Sequence, residues 1–275
     1  MTLRQQYLDA MGIQQWIPRY ATQTETEITE EVSPVEYPVA DVIDTTQMIL
    51  PEPSEHAEPM PDVSPEPFME TPPDNSIIAT ASPERIQRIA VLDWDALQSE
   101  VKDCTECELH QGRTQTVFGV GDPAAKLMIV GEGPGAEEDR QGEPFVGRAG
   151  KLLDAMLHAV GFEREQVYIG NVVKCRPPNN RNPEAVEMAT CGAYLSRQIE
   201  IIQPSLMLAV GKIPATYLLQ QDASIGSLRG KKHMYQPTNT PVVVTYHPAY
   251  LLRRPEEKSK SWQDLQFTMK LLETF

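Results

Sequence analysis

Four cysteines are the residues of this sequence whose spacing most clearly indicates chemistry. Two residues separate Cys104 from Cys107 and fifteen separate Cys175 from Cys191, and the chain has no other cysteine. Two pairs divided by a long span are typical of thiolate ligands that hold zinc or an iron–sulfur cluster. The alternatives are unligated core cysteines, or disulfides in a secreted protein. The spacing favours a four-thiolate metal centre and leaves the metal open.

The elements that must position such residues can be predicted from apolar patterns. Four short apolar runs are typical of strands buried on both faces, and they occupy residues 126–130, 167–171, 206–210 and 242–246. Helical patterns separate the four runs, at 149–160, 183–202 and 212–220, and a last one follows them at 256–273. Strands that alternate with helices predict a parallel sheet in a layered α/β domain.

Polar residues follow these predicted strands. The loop Gly131–Gly135, which contains Glu132, follows the first run, Asn171 ends the second, and His247 follows the fourth. Ligands of open parallel sheets bind beyond the carboxyl ends of the strands. We therefore expect these residues to lie at one edge of the sheet and to form a candidate active site.

Each of these residues also has a structural interpretation. The loop Gly131–Gly135 lacks the full spacing of phosphate-binding loops, so it is either a tight turn or a backbone cradle for a planar ligand. Asn171 could cap a turn, and His247 could be a structural histidine. Phe145, flanked by Pro144 and Gly147 within its loop, could belong to the core or stack on a ligand.

Charge divides the chain into two parts. Of the net charge of −15, residues 1–95 hold 18 acidic and 4 basic side chains, and residues 96–275 hold 21 acidic and 20 basic ones. The nearly neutral part can therefore carry a local basic face for nucleic acid. The clusters Arg229–Lys232 and Arg253–Arg254 are either solvated surface or phosphate contacts.

Three zones are predicted along the chain. Residues 1–20 have Leu3, Tyr7, Leu8 and Met11 at helical spacing and form a candidate amphipathic docking peptide. Residues 21–91 are predicted to be a disordered acidic linker, because 11 prolines and few large apolar residues lie between 21 and 90. Residues 92–275 form the globular domain. Without a run of 18 apolar residues or a secretory signal, we expect a cytoplasmic protein and no membrane contact.

The globular part resembles the type-4, iron–sulfur uracil-DNA glycosylases. The resemblance covers residues 92–275, includes the cysteine frame, and rests on the segments 131–139, 144–147, 171–178, 180–181 and 247–250. It implies a three-layer α/β/α fold around a central four-stranded parallel sheet. It also implies an enzyme that flips deoxyuridine out of DNA and hydrolyses its N-glycosidic bond, leaving an abasic site. A [4Fe–4S] cluster on Cys104, Cys107, Cys175 and Cys191 is implied as well.

The resemblance assigns the residues that would bind uracil. Phe145 would stack on the flipped ring, and the amide of Asn171 would match O4 and N3–H of uracil. Cytosine presents the opposite pattern and would leave buried polar groups unpaired. The backbone of Gly131, Glu132 and Gly133 would hold the O2 side of the ring.

The resemblance also assigns residues to the reaction and to DNA. His247 would donate to the leaving uracil as negative charge grows on it, and either Asn180 or Glu132 would position the attacking water. Leu251 would either wedge into the base stack or belong to the core. The residues expected to contact DNA are Leu251, Arg253 and Arg229.

A shorter resemblance concerns Tyr7–Trp16, which is similar to the N-terminal peptide of the psi subunit of the bacterial replicase. It implies that residues 1–20 dock on the DNA polymerase III clamp loader. The leading hypothesis is therefore a monomeric uracil-DNA glycosylase tethered to the replicase. The alternatives are a non-enzymatic psi-like subunit that uses the glycosylase fold as a scaffold, and a zinc-binding DNA module.

Overall fold

The computed structural model describes residues 82–275, so the predictions for residues 1–20 and for most of the linker lie outside the described residues. Within residues 82–275 there are nine α-helices: α1 Pro83–Ala90, α2 Trp94–Lys102, α3 Ala136–Gln141, α4 Arg148–Ala159, α5 Ala185–Ile202, α6 Lys212–Leu219, α7 Ile225–Leu228, α8 Pro248–Arg253 and α9 Lys258–Leu272. The strands of this part are β1 Val120–Gly121, β2 Leu127–Gly131, β3 Tyr168–Asn171, β4 Leu206–Val210, β5 His233–Tyr235 and β6 Thr240–Thr245. None of these helices is long and apolar enough to cross a membrane.

The six strands form one mixed sheet in the order β1-β3-β2-β4-β6-β5. The four central strands are parallel, which confirms the predicted core of the sheet, and β1 and β5 add antiparallel edges. Sequence patterns do not predict these edge strands, because β1 has only two residues and β5 is mostly half-exposed.

Helices cover both faces of the sheet. Neighbouring residues of each strand point to opposite faces, so each strand packs against both helical layers. Met128 and Val130 of β2 pack in a core with residues of α1, α2, α5 and α6. Leu127 and Ile129 of the same strand pack with residues of α4, α8 and α9. The fold is therefore the expected three-layer α/β/α arrangement.

Helix α1 lies within the range 21–91 that composition assigns to the linker. Its first turn is capped by Ser82, whose Oγ accepts from the Arg85 N–H at 3.3 Å, and Pro83 occupies the first turn. Ile89 is buried in the core, and Arg85 donates to the Thr190 carbonyl at 3.1 Å. The folded part therefore begins before residue 92. The composition is misleading here because the helix buries only two of its eight residues.

Candidate active site

The first two central strands end side by side and remain paired beyond their ends. Gly131 is the register partner of Asn171. The carbonyls of Gly131 and Glu132 then accept from the N–H groups of Val172 and Val173 at 3.0 and 3.1 Å. These two bonds fix the loop after β2 against the chain that follows β3.

Gly131 lets two functional side chains approach the same point. A Cβ at this residue would lie 2.3 Å from Asn171 Oδ1 and 2.6 Å from Phe145 Cε2. Asn171 is only 1% exposed, and among the described residues none donates a hydrogen bond to its Oδ1. An unpaired buried acceptor is costly, and a ligand that donates an N–H group would remove that cost. The amide and the aromatic ring can thus receive a planar ligand.

Phe145 has a backbone conformation that the surrounding residues must hold in place. Its φ of 54° lies in the left-handed region, which is unfavourable for a bulky residue. Arg164 donates to the carbonyls of Pro144 and Phe145 and pairs with Asp154 at 3.0 Å. Gly150 allows α4 to pass close by, since a Cβ there would lie 1.7 Å from the Phe145 carbonyl oxygen.

Glu138 joins the two loops that carry these groups. Its Oε1 accepts from the N–H groups of Val146 and Gly147, both at 3.0 Å, and its Oε2 accepts from the Gly135 N–H at 3.1 Å. One carboxylate thus fixes the loop after β2 to the loop of Phe145. Sequence reasoning did not assign this role, because Glu138 lies in an acidic first turn of α3 that resembles an ordinary solvated helix start.

His247 is the N-cap residue of α8. Its Nδ1 accepts from the Ala249 N–H at 3.1 Å, so a neutral ring carries its proton on Nε2. Burial, and then the positive charge of Arg253, lower the pKa of His247 to about 4. The centroids of the imidazole ring and the Phe145 ring are 5.6 Å apart. His247 therefore presents a neutral N–H donor beside the Phe145 ring.

Glu132 and Gly133 follow Gly131 in the same loop. Burial raises the pKa of the half-buried Glu132 carboxyl, which makes it a stronger base than an exposed glutamate. A Cβ at Gly133 would lie 2.6 Å from Val173 Cγ2, so only glycine lets the loop approach the chain after β3 this closely. We call Gly131, Glu132, Phe145, Asn171 and His247 the strand-end site.

Asn180 lies in the short 3-10 turn Pro178–Asn180 and is exposed. Its Oδ1 accepts from Arg176 Nε at 2.7 Å, and its own φ is 54°. No hydrogen bond or ring contact in the described part of the chain joins it to the strand-end site. Its proposed role with water stays a prediction.

Two residues expected to contact DNA have structural roles instead. Leu251 is 0% exposed and packs in the core beside α4 and α9, so the core interpretation is correct and the wedge expectation is wrong in this conformation. Its neighbour Leu252 is 37% exposed. Arg229 pairs with the buried Asp264 at 3.1 Å and is bound within the fold rather than presented to DNA. Arg253 is exposed next to His247, as expected for a phosphate contact.

The four cysteines line one cavity, as their spacing predicts. All four are free thiols, which removes the disulfide alternative. Cys175 and Cys191 are buried, and burial, followed by the neighbouring Cys175, raises the pKa of Cys191 to about 12. We call this group the cysteine cavity. Within residues 82–275, no three His, Cys, Asp or Glu side chains form a group that could hold a metal ion.

Positively polarised groups surround these sulfurs. Arg113 Nη1 donates to Cys175 Sγ at 3.2 Å, and the Lys174 N–H donates to Cys191 Sγ at 3.2 Å. Arg85 Nη2 lies 3.9 Å from Cys104 Sγ. Donors of this kind stabilise thiolates, the form that binds metal.

Lys174 connects the cysteine cavity to the strand-end site. Its fully buried Nζ donates to the Asn171 carbonyl at 2.9 Å and to Gln198 Oε1 at 2.6 Å. Burial lowers the pKa of Lys174 to about 8. Gln198 in turn donates to the Tyr168 hydroxyl at 2.9 Å. The end of β3 is thus fixed by the same residue whose N–H contacts Cys191.

This fold and site match a known class of DNA-repair proteins. Residues 118–266, more than half of the chain, match the model of the uracil DNA glycosylase superfamily, and the chain belongs to that superfamily. The type-4 uracil-DNA glycosylase of Sulfurisphaera tokodaii is 43% identical over 189 residues, which cover 64% of this chain and 86% of the relative. That of Thermotoga maritima is 47% identical over 160 residues, covering 58% and 83%.

The type-4 uracil-DNA glycosylase of Archaeoglobus fulgidus gives a similar result. It is 41% identical over 178 residues, which cover 62% of this chain and 89% of the relative. These matches confirm the resemblance to type-4 enzymes that the motifs of residues 92–275 indicate. They do not address the likeness of Tyr7–Trp16 to the psi peptide.

Proposed function

We propose that this protein is a uracil-DNA glycosylase that removes uracil from DNA in base-excision repair. The observation that carries the proposal is the buried Asn171 Oδ1, to which none of the described residues donates, beside the Phe145 ring. Uracil N3–H is a donor that fits this oxygen, whereas cytosine N3 is an acceptor that would leave both groups unpaired. The family and the type-4 relatives support the same substrate.

Different residues of the strand-end site serve different steps of the reaction. The target nucleotide leaves the helix, because its glycosidic bond cannot be reached within the duplex. Its ring lies on Phe145 and pairs with the Asn171 amide. The backbone of Gly131–Gly133 holds the O2 side of the ring, so that both edges of the base are fixed before the bond breaks.

Bond cleavage places negative charge on the base. The C1′–N1 bond breaks with its electron pair staying on N1 and spreading to O2, where the His247 Nε2–H donates. A neutral imidazole serves here, because its pKa of about 4 keeps it unprotonated at neutral pH. Water, positioned by Glu132 or Asn180, then forms the new bond to C1′ and gives its proton to Glu132 or to solvent.

The test is excision of uracil from oligonucleotides that carry one deoxyuridine, in single and double strands. Cluster-loaded protein should leave alkali-labile abasic sites, while the matched oligonucleotide with cytosine should stay intact. The Asn171→Ala variant should lose most of the activity and all of its dependence on the N3–H group, measured with N3-methyluracil. Absence of cleavage by the loaded protein, next to an active type-4 enzyme, would refute the proposal.

We also propose that the four cysteines hold a [4Fe–4S] cluster. Four free thiols on one cavity, with arginine and backbone donors at the sulfurs, fit a cluster with four thiolate ligands. The cluster would tie residues 104–107 to the loop after β3 and to α5.

The cofactor is tested on protein purified without oxygen. We expect a brown protein with four irons and four sulfides per chain, and the loss of colour in Cys175→Ser and Cys191→Ser. A colourless protein that contains zinc instead would support the zinc-binding module and overturn the cluster.

Recruitment to the clamp loader is a separate proposal, supported by the likeness of Tyr7–Trp16 to the psi peptide. We expect the full chain to co-purify with clamp-loader subunits and to lose them when residues 1–20 are deleted. Unchanged binding after the deletion would refute this role. The non-enzymatic scaffold is less favoured, because a scaffold has no need for a buried unpaired amide beside a neutral histidine donor.

A further inference from the structure

An apolar groove lies in the helical layer formed by α1, α5 and α6, next to β5. Its volume is about 480 Å³, within the usual range of binding sites. Ile86 on its wall is 46% exposed, although the neighbouring Ile89 is buried in the core. No residue of the strand-end site or of the cysteine cavity lines this groove.

The lining of the groove is mostly apolar. The hydroxyl groups of Tyr217 and Tyr235, both in its lining, bond to Ser196 Oγ at 3.2 and 3.1 Å. Arg197 at the rim is bound to the Leu92 carbonyl at 2.8 Å and to Glu200 at 3.1 Å. Thr216 Oγ1, also in the lining, is buried and has no partner among the described residues. The mainly apolar lining is suited to apolar side chains of a helix.

The chain itself supplies a segment of matching character. Leu3, Tyr7, Leu8 and Met11 recur at helical spacing, and Trp16 follows them. The described chain begins at Ser82, directly before α1, and α1 forms one wall of the groove.

The connection between them is long enough. A flexible chain as long as residues 21–81 spans roughly 40 Å. A domain of the size of residues 82–275 has a radius of gyration of only roughly 16 Å. Residues 1–20 can therefore reach the groove at a high effective concentration.

We propose that residues 1–20 dock as an amphipathic helix in this groove of the same chain. Leu3, Tyr7, Leu8 and Met11 contact the wall formed by α1 and α5. Docking buries the apolar face of residues 1–20, which is the face that the proposed clamp-loader partner would also bind. Partner binding therefore competes with the groove, and the free protein keeps this face out of water.

The test uses the full chain with a photoreactive benzophenone amino acid in place of Leu8. After irradiation and proteolysis, mass spectrometry should find cross-links to residues 185–200 or 216–220 of the groove. The Ala189→Arg variant places a long charged side chain in the groove and should reduce these cross-links at least tenfold. The matched control is Val186→Arg, on the same helix but exposed and outside the groove, which should leave them unchanged.

Two further measurements keep the outcome decisive. With the probe moved to Tyr7, the pair Leu8→Asp and Met11→Asp should also remove the cross-links without altering the folded domain. A mixture of isotopically light and heavy protein should give only light–light and heavy–heavy products. Mixed products would mean that a second copy occupies the groove, and cross-links elsewhere or none would equally overturn the proposal.

Discussion

The strand-end site and the cysteine cavity differ in what completes them. Glu138, Arg164, Gly131 and Gly150 position the strand-end site through contacts within the protein, and no residue within 82–275 donates to the buried Asn171 Oδ1. In the cysteine cavity, Arg113, Arg85 and the Lys174 N–H contact sulfurs whose buried members hold their protons strongly. The first site is preorganised for a ligand, whereas the second would be completed by the proposed cluster, whose iron would replace the thiol protons.

The largest expected effect follows from this difference. If the four cysteines hold the proposed cluster, its removal should lower the free energy of unfolding by several kcal/mol, since positive groups then face neutral buried thiols. The rate of uracil excision per folded molecule, measured well below the new melting midpoint, should change far less. Anaerobic chelation followed by calorimetry and single-turnover excision checks both quantities. If the excision rate of the folded molecules fell as strongly as their stability, the strand-end site would depend on the metal in the cysteine cavity.

The next effect concerns the leaving group. His247→Ser keeps a side-chain acceptor at the N-cap of α8 but removes the Nε2–H donor, so kcat should fall about 10²–10³-fold. The substrate Kd should change little, because the donor acts mainly on charge that appears as the bond breaks. His158→Ser, at an exposed histidine, is the matched control and should retain the full rate. Retention of the rate by His247→Ser would exclude the leaving-group role.

Gly131→Ala tests whether close approach positions the site. The new Cβ would collide with Asn171 Oδ1 and the Phe145 ring, so both must shift, and kcat/KM should fall about 10²-fold. Gly112→Ala is the control, because its Cβ would meet no atom within 4 Å. Steady-state kinetics compares the two variants. Unchanged kinetics in Gly131→Ala would mean that the distance between the ring and the amide is not critical.

The sequence predicts the strand-end site better than the residues that hold it. Asn171 and His247 are predictable because each follows an apolar strand, and parallel strands bring their ends together. Glu138 is not predictable, because its role depends on amides of Val146 and Gly147 that only the fold brings near. Leu251 shows the same limit: four residues after His247 it could face DNA or the core, and only the packing of α8 against α4 decides.

Glu138→Gln tests this support from the surrounding loops. A glutamine has one acceptor oxygen for three N–H groups, so at least one amide loses its partner, at about 1–3 kcal/mol. We expect KM to rise and kcat/KM to fall roughly tenfold, because the Phe145 loop becomes less ordered. Glu137→Gln is the matched control on the same helix, where the exposed carboxylate accepts from Arg140 and Gln141. Equal kinetics in the two variants would remove the positioning role.

The last effect concerns the acid stability of the strand-end site. The pKa of His247 is about 4 in the folded protein and 6.5 when unfolded, so between these values only the unfolded chain takes up the proton. This residue should therefore lower the free energy of unfolding as pH falls from 6.5 to 4, by up to about 3 kcal/mol. Denaturant titrations at several pH values should show a shallower acid loss in His247→Ser than in the unaltered protein. Parallel pH curves would mean that the folded site does not hold the imidazole neutral, and the neutral-donor mechanism would fail with it.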